Sequence, residues 1–212
     1  QFWSTPPTSS SLVGTDIRVT TDDGSPVELP RELVAASSTA QTGELHFKAD
    51  TISSTTDTVF RIYFNGTTTG DYATTSTYGA QNVWSNDFVG VWHMNNDPSG
   101  TSPQIIDSTG NNFDGTTEGS MSTADLIGGQ LGQGIDFDGS DDAVDTGISE
   151  NYQTGDFTVS TWIRPDDVST AGQRLITDDT SSDGWSLSLG DPGTNQLRFF
   201  VRGMDTVSLD TG

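Results

Sequence analysis

The stretch Trp185-Ser-Leu-Ser-Leu189 places an apolar residue at every second position. The next apolar stretch, Leu197-Arg-Phe-Phe-Val201, repeats that spacing, with Phe199 in the middle of its apolar face. Because successive side chains of a β-strand point to opposite faces of the sheet, this period of two predicts two strands. One apolar face on each strand is typical of an antiparallel sheet that buries one side.

The same alternation extends along much of the chain. Phe157-Thr-Val-Ser-Thr-Trp-Ile163 alternates, with Trp162 on the face opposite Phe157, and so does Phe60-Arg-Ile-Tyr-Phe64. Further candidate strands are Asp16–Thr20, Glu44–Ala49, Phe88–Met94, Ile135–Phe137, Ala143–Thr146, Arg174–Asp178 and the strand start Val207–Leu209. Asp-Gly and Asn-Gly pairs, which favour tight turns, fall between these strands. The chain is therefore predicted to be all-β, an antiparallel β-sandwich or a jelly roll.

Composition excludes several classes of partner. The 212 residues include 8 Lys and Arg against 30 Asp and Glu, which gives a formal net charge of −22, and there is no Cys. Binding to nucleic acid needs a cluster of basic residues, and insertion into a membrane needs roughly 18 consecutive apolar residues; the sequence has neither. Without Cys the chain has no disulfides and no thiolate metal ligands. The acidic composition, rich in Ser, Thr and Gly, favours an extracellular, cell-surface or virion-surface location.

Two domains are predicted. Residues 1–65 read as a small β-domain, residues 66–82 as a linker or long loop, and residues 83–212 as a larger β-domain. The linker prediction depends on Gly66–Ser76, which has no apolar pattern. The chain stops soon after Val207–Leu209. We therefore expect a further stretch of chain, or another subunit, to cover the open edge of that strand.

Five short motifs follow one another in the larger domain: Phe88–Met94, Asp107–Asn112, Gly128–Gly132, Phe137–Asp142 and Phe157–Ile163. This ordered set resembles the laminin-G-like jelly rolls of the concanavalin A-like lectin/glucanase superfamily. Upstream, Asp16–Thr20, Glu28–Pro30 and Phe60–Phe64 resemble a small β-domain of unknown function that commonly precedes such jelly rolls in secreted and phage-associated proteins. The resemblance implies a jelly roll that often binds a calcium ion near the rim of its sheet and often acts as a lectin.

Two acidic loops are the candidate metal sites. The first offers oxygen ligands from Asp107, Asn111, Asn112 and Asp114, and the second contains Asp138 and Asp142 in an alternating run. Calcium takes six to eight oxygen ligands, so either loop suits it by composition. The alternative is a solvated turn in which each Asp accepts hydrogen bonds from its own backbone.

The sequence offers no catalytic pair. Glucanases of the superfamily carry alternating acids of the type E-x-D-x-E on one strand, and this motif is absent. The two histidines, His46 and His93, are interpreted as a solvent-facing strand residue and a packed strand residue, and together they predict no zinc site. The chain is therefore predicted not to be an enzyme.

Aromatic residues are the candidate sugar contacts, because the apolar face of a sugar ring stacks on an aromatic ring. Trp84 and Tyr152 lie near predicted turns and are the predicted glycan-binding residues. The alternative for each is core packing.

These observations lead to three hypotheses. The first is a non-catalytic, lectin-like module that binds glycans with support from Ca²⁺. The second is a structural component of a virion or filament, whose partners are neighbouring subunits or further copies of the chain. The third is an accessory part of a polysaccharide-active enzyme.

Overall fold

The computed structural model describes residues 14–22, 24–37, 40, 42–64, 70–148, 155–180, 183–190, 193, 196–202 and 207–210. Every strand pair in these residues is antiparallel, and the one α-helix among them is a single turn. The all-β prediction is confirmed, and the sheets are consistent with a β-sandwich of jelly-roll type. None of the described helices has the length or the apolar character to cross a membrane. The chain divides into two compact units, residues 1–147 and 148–212.

The first unit is built from short two-stranded ladders. Its strands are β1 (Arg18–Thr21), β2 (Arg31–Ser37), β3 (Thr42–Phe47), β4 (Phe60–Tyr63), β5 (Thr116–Glu118), β6 (Leu126–Gly128), β7 (Gln133–Ile135) and β8 (Ala143–Asp145). They pair as β1 with β4, β2 with β3, β5 with β8 and β6 with β7. The single-turn helix α1 (Ala80–Val83) follows β4, and a 3₁₀ turn, Thr123–Asp125, precedes β6.

The core of the first unit begins at β1, where Ile17 and Val19 are buried. Leu29, also buried, donates its backbone N–H to the carbonyl oxygen of Val19 at 2.9 Å. Next to it, the side chain of Arg31 is only 1% exposed and its guanidinium lies 2.7 Å from the carboxylate of Asp71. A buried guanidinium needs such a partner, so this ion pair holds residue 71 against the start of β2.

The predicted linker, residues 66–82, has defined structure where it is described. Residues 66–69 lie outside the described residues. Beyond them, Asp71 pairs with Arg31, and the carbonyl oxygen of Tyr78 accepts the backbone N–H of Arg31 at 3.1 Å. The segment then ends in helix α1. These contacts connect the segment to β2. The boundaries of the linker at residues 65 and 82 stay a prediction.

The second unit contains one four-stranded sheet. Its strands are β9 (Gln173–Asp179), β10 (Gly184–Leu189), β11 (Gln196–Val201) and β12 (Val207–Asp210), in the order β12-β11-β10-β9. On β10 and β11 the register sets Trp185 opposite Val201, and Leu187 opposite Phe199. Directly paired residues share a face, so the alternation in the sequence produces one apolar face.

Trp185 is the centre of that apolar face. It is 8% exposed, and its ring centroid lies 5.1 Å from that of Phe157 and 6.1 Å from that of Phe199. Tilted aromatic contacts at such separations stabilise a core beyond simple burial. The apolar face is therefore a packed aromatic cluster.

The opposite face of the sheet is buried too, which the alternation did not predict. Ser186 and Ser188 are both fully buried, and Phe200 is 6% exposed. The guanidinium groups of Arg198, Arg174 and Arg202 lie 4.8, 5.4 and 5.4 Å from the centroid of the Phe200 ring. Arginine covers a ring with its stem and its planar head, so these side chains shield an apolar residue on a polar face.

Most of the predicted strands are confirmed, at β1, β3, β4, β8, β9, β10, β11 and β12. Of the predicted strand Ile135–Phe137, only Ile135 lies in a strand, at the end of β7. Two predictions are wrong. Residues 156–165 are not a strand, and Phe88–Met94 makes only the isolated bridge between Trp92 and Asp107. Phe157 and Val159 still lie more buried than Thr158 and Ser160. Alternation thus predicted the more buried side chains at Phe157 and Val159 but not at Ile163, which is 44% exposed. A strand also needs a hydrogen-bonded neighbour.

Replacing Trp185 tests the aromatic cluster. We expect Trp185→Ala to lower the free energy of unfolding by about 3–5 kcal/mol, because it leaves a cavity beside Phe157 and Phe199. Trp162, at 73% exposure, is the matched control, and Trp162→Ala should change stability by no more than about 0.5 kcal/mol. Urea denaturation followed by circular dichroism measures both. Equal losses in the two variants would contradict this description of the core.

Candidate functional site

Asp107 lies at the centre of the first acidic loop and is 4% exposed. Its Oδ1 accepts the backbone N–H groups of Val91 and Thr109 at 3.0 and 2.9 Å. Its Oδ2 accepts the Thr109 hydroxyl at 2.7 Å and the Phe113 backbone N–H at 3.0 Å. A carboxylate has about four acceptor positions, and all four are occupied here by the protein itself.

The other three residues of that loop also make internal bonds. Asp114 Oδ1 accepts the backbone N–H of Asp107 at 2.8 Å. The side-chain amides of Asn111 and Asn112 donate to backbone carbonyl oxygens nearby. The four residues therefore hold the loop together through hydrogen bonds within the protein. Calcium binding by this loop stays a prediction, and these contacts give it no support.

The second acidic loop has a different geometry. Asp138 Oδ1 accepts the backbone N–H groups of Ser140 at 2.7 Å and Asp141 at 3.3 Å, as in the predicted turn. The hydrogen bond from Ser140 is the largest influence on the pKa of Asp138, which lies below its ordinary value. Carboxylate oxygens of Asp138, Asp141 and Asp142 also lie within 4.8 Å of one another. Asp141 was not among the predicted ligands. Its position in the sequence between Asp138 and Asp142, the two predicted ligands of this loop, could have indicated it.

The two predicted glycan-binding residues have different outcomes. Trp84 is half-buried, its ring lies 5.2 Å from that of Phe88, and its indole Nε1 donates to Glu32 Oε2 at 2.6 Å. These contacts make Trp84 part of a packed cluster, in contrast to the exposed position expected from its nearby turn. Tyr152 lies outside the described residues.

Trp162 is the aromatic residue that the structure exposes most. Its exposed fraction of 73% exceeds that of every other large apolar residue described. The sequence contained a signal for this, because Trp162 falls on the face opposite Phe157 in the alternating stretch. Trp162 was not among the predicted glycan-binding residues, because Trp84 and Tyr152 lie near turns and were favoured on that ground.

A cluster that the sequence did not predict lies beside β2 and β3. We call it the histidine cluster; its members are Glu32, Glu44, His46, Trp84, His93 and Ser108. The register of the two strands sets Glu32 opposite His46, and Glu44 precedes His46 by two residues on the same face. The His46 and His93 rings stack with centroids 5.2 Å apart. The predictions that His46 faces solvent and that the two histidines are isolated are wrong.

Glu32 is the most heavily bonded member of the cluster. Its Oε1 accepts the Ser108 hydroxyl at 2.6 Å, and its Oε2 accepts Trp84 Nε1 at 2.6 Å and lies 3.0 Å from His93 Nε2. Burial alone would raise the pKa of this carboxyl, but the hydrogen bonds from His93, Ser108 and Trp84 together outweigh burial and lower that pKa. Glu32 is thus an ionised, fully engaged acceptor.

Glu44 connects the two histidines. Its Oε1 lies 2.8 Å from His46 Nε2 and 3.9 Å from His93 Nδ1. One ligand atom from each of Glu44, His46 and His93 lies within 4.8 Å of the other two. The arrangement brings one carboxylate and two imidazoles to a common point, which is a combination that binds protons or metal ions.

One known protein family matches the C-terminal part of the chain. Residues 138–211 match the Laminin G family model described as the concanavalin A-like lectin/glucanases superfamily. This segment is therefore similar to that superfamily. The comparisons with curated proteins and with solved structures give no match.

The laminin-G-like segment includes β8 to β12, Trp162 and the Asp138–Asp142 turn. It is shorter than the predicted resemblance, which began near residue 83; the Asp107 loop and the histidine cluster lie outside the match. The superfamily indicates a carbohydrate-binding or structural module. Because the superfamily contains both lectins and glucanases, similarity to it does not separate glycan binding from glycan hydrolysis.

The role of Asp107 is testable by substitution. We expect Asp107→Ala to lower the free energy of unfolding by on the order of 3 kcal/mol, because buried N–H groups of Val91, Thr109 and Phe113 lose their acceptor. Urea denaturation measures the loss. Asp136, an exposed aspartate, is the control, and its replacement by Ala should change stability by about 0.5 kcal/mol or less. A stable Asp107→Ala variant would show that the loop is not organised by this carboxylate.

The lowered pKa of Glu32 predicts a dependence of stability on pH. Folding lowers this pKa below its ordinary value of 4.5. The stabilisation is therefore present above that value and is lost as the pH falls through the lower pKa of the folded state. Near neutral pH, Glu32→Gln should cost on the order of 2 kcal/mol, because charge-assisted hydrogen bonds are lost.

As the pH falls, the difference in free energy of unfolding between the parent and the Glu32→Gln variant should become smaller. Urea midpoints recorded from neutral pH downward measure this difference. Glu118, exposed on β5, is the matched control, and Glu118→Gln should run parallel to the parent. If the difference in urea midpoint between the parent and Glu32→Gln stays constant as the pH falls, Glu32 does not have the lowered pKa described above.

Proposed function

We propose that the chain is a non-catalytic glycan-binding module that acts outside the cell or on a virion surface. The observation that carries this proposal is the exposed indole of Trp162 within the laminin-G-like segment. Trp binds sugars through its flat apolar face and its N–H group, and an exposed Trp offers both to a ligand.

The non-catalytic part of the proposal is supported by the acids of the laminin-G-like segment. Hydrolysis with retention requires two carboxyl groups about 5–5.5 Å apart across the bond that is cleaved. Glu150 is the single glutamate between residues 138 and 211, and the alternating acids of the glucanases do not occur in the sequence. The proposal therefore assigns binding, and not cleavage, to this segment.

Calcium support belongs to the same proposal. The residues that would hold the ion are Asp138, Asp141 and Asp142, because their carboxylate oxygens lie within 4.8 Å of one another. Bound calcium would neutralise this acidic turn and hold the start of the segment in one conformation. The acidic composition, at a net charge of −22, supports a location rich in cations, such as the extracellular medium.

A glycan array probed in Ca²⁺ and again in chelator tests the proposal, and titration calorimetry with a hit measures the affinity. We expect Trp162→Ala to weaken binding about tenfold or more, the equivalent of a stacking interaction of ~1.5 kcal/mol. Ile52, 72% exposed in the other unit, is the matched control, and Ile52→Ala should bind like the parent.

The outcomes of this experiment separate the parts of the proposal. If the Trp162→Ala variant binds glycan as well as the parent does, the glycan site does not include Trp162. Glycan binding that is equally strong in Ca²⁺ and in chelator would contradict the proposed role of calcium. Release of reducing sugar from a bound polysaccharide would overturn the non-catalytic assignment. A folded protein that binds no glycan would overturn the function.

A structural role in a virion or filament is the second candidate. Within the described residues, β9 and β12 each pair with a single strand, so each offers an open edge to a neighbouring subunit. An open edge favours strand addition by another chain. Light scattering that shows assembly at rising protein concentration supports this role, whereas a monomer that binds glycans supports the first.

A further inference from the structure

We infer that Glu44, His46 and His93 form a binding site for a divalent transition-metal ion of the zinc type, with Glu32 as the residue that orients His93. This site goes beyond glycan binding and lies outside the laminin-G-like segment. It combines one carboxylate oxygen with two imidazole nitrogens, which is a ligand set that suits Zn²⁺. No Cys occurs in the sequence, so nitrogen and oxygen ligands are what the chain offers such an ion.

The separations between the donor atoms suit an ion placed among them. In a tetrahedral zinc site with bonds of about 2.0–2.1 Å, neighbouring ligand atoms lie about 3.3–3.4 Å apart. Glu44 Oε1 lies 2.8 Å from His46 Nε2 and 3.9 Å from His93 Nδ1, which brackets that value. A change of about 0.5 Å in each of these two separations brings it to the tetrahedral value.

Glu32 selects the nitrogen of His93 that faces the ion. Its Oε2 accepts a hydrogen bond from His93 Nε2 at 3.0 Å, which leaves the lone pair of the neutral ring on Nδ1. That nitrogen is the one directed at Glu44. A carboxylate behind a ligating imidazole fixes its tautomer and raises its basicity, and it is a recurring feature of metal centres.

The support for this arrangement is rigid. Glu32 is held by Ser108 and Trp84 at 2.6 Å each, and its side chain is 13% exposed, as is that of His93. The side chain of His46 is 31% exposed, which provides a path for an ion from solvent. Two ladder strands and a well-anchored neighbouring segment therefore present the ligands before the ion arrives, as a site of high affinity requires.

A competition titration tests the inference. Protein freed of metal with chelator is titrated with Zn²⁺ against a chromophoric chelator, and we expect one equivalent to bind. His46→Gln and Glu44→Gln each remove one ligand and should weaken binding by more than about 100-fold. Glu32→Gln keeps all three ligands and should weaken it by about 10–100-fold.

Two control variants remove acids away from the cluster. Glu118→Gln should bind Zn²⁺ like the parent, and Asp138→Asn tests whether the acidic turn takes up the ion instead. Circular dichroism of each variant without metal confirms that it is folded. If Asp138→Asn weakens binding and His46→Gln does not, the ion binds the acidic turn, and the inference is overturned.

Nitrogen-15 spectra of the imidazoles give a readout that does not depend on affinity. The chain contains two histidines, so each ring is assigned by one substitution. We expect Zn²⁺ to bind Nδ1 of His93 and Nε2 of His46. Imidazole signals that do not respond to Zn²⁺, or the opposite nitrogen on His93, would overturn the inference, as would the absence of Zn²⁺ binding.

Discussion

The buried carboxylate of Glu32 is the interaction on which the described core of the first unit depends. It accepts hydrogen bonds from Trp84, His93 and Ser108, which lie on three segments distant from β2 in sequence. A carboxylate taken out of water is stable only when its acceptor positions are filled, so these segments must stay together for the fold to persist. One acidic residue on a strand thereby organises the chain around it.

Asp107 extends the same principle from side chains to the backbone. Its carboxylate accepts three backbone N–H groups and one hydroxyl, and so it shapes a loop that has no regular ladder. The next residue, Ser108, donates to Glu32. The two carboxylates therefore form one connected network, and the histidine cluster is built on it. A network with filled acceptor positions favours a single arrangement, which is what a preformed binding site needs.

The second unit is held together differently. Its sheet packs aromatic residues around Trp185 on one face and covers Phe200 with arginine on the other. Trp162 lies outside the strands of this sheet and is exposed. Stability and ligand contact thus fall on different residues of the same unit, so that the surface carrying the proposed sugar contact is separable from the core by mutation.

The sequence by itself determined the all-β class, strands such as β10 and β11, and the similarity of residues 138–211 to the concanavalin A-like superfamily. Alternation and short motifs are patterns of residues that lie close together in the sequence. The sequence did not predict β2, whose Arg31-Glu-Leu-Val-Ala-Ala-Ser37 has no strict alternation. It presented Asp107 as an open metal ligand and His46 and His93 as isolated. Only the tertiary structure showed that the donors around Asp107 fill its acceptor positions and that strand pairing brings the two histidines together. Hydrogen-bond partners and cross-strand neighbours come from distant parts of the chain, so no local pattern contains them.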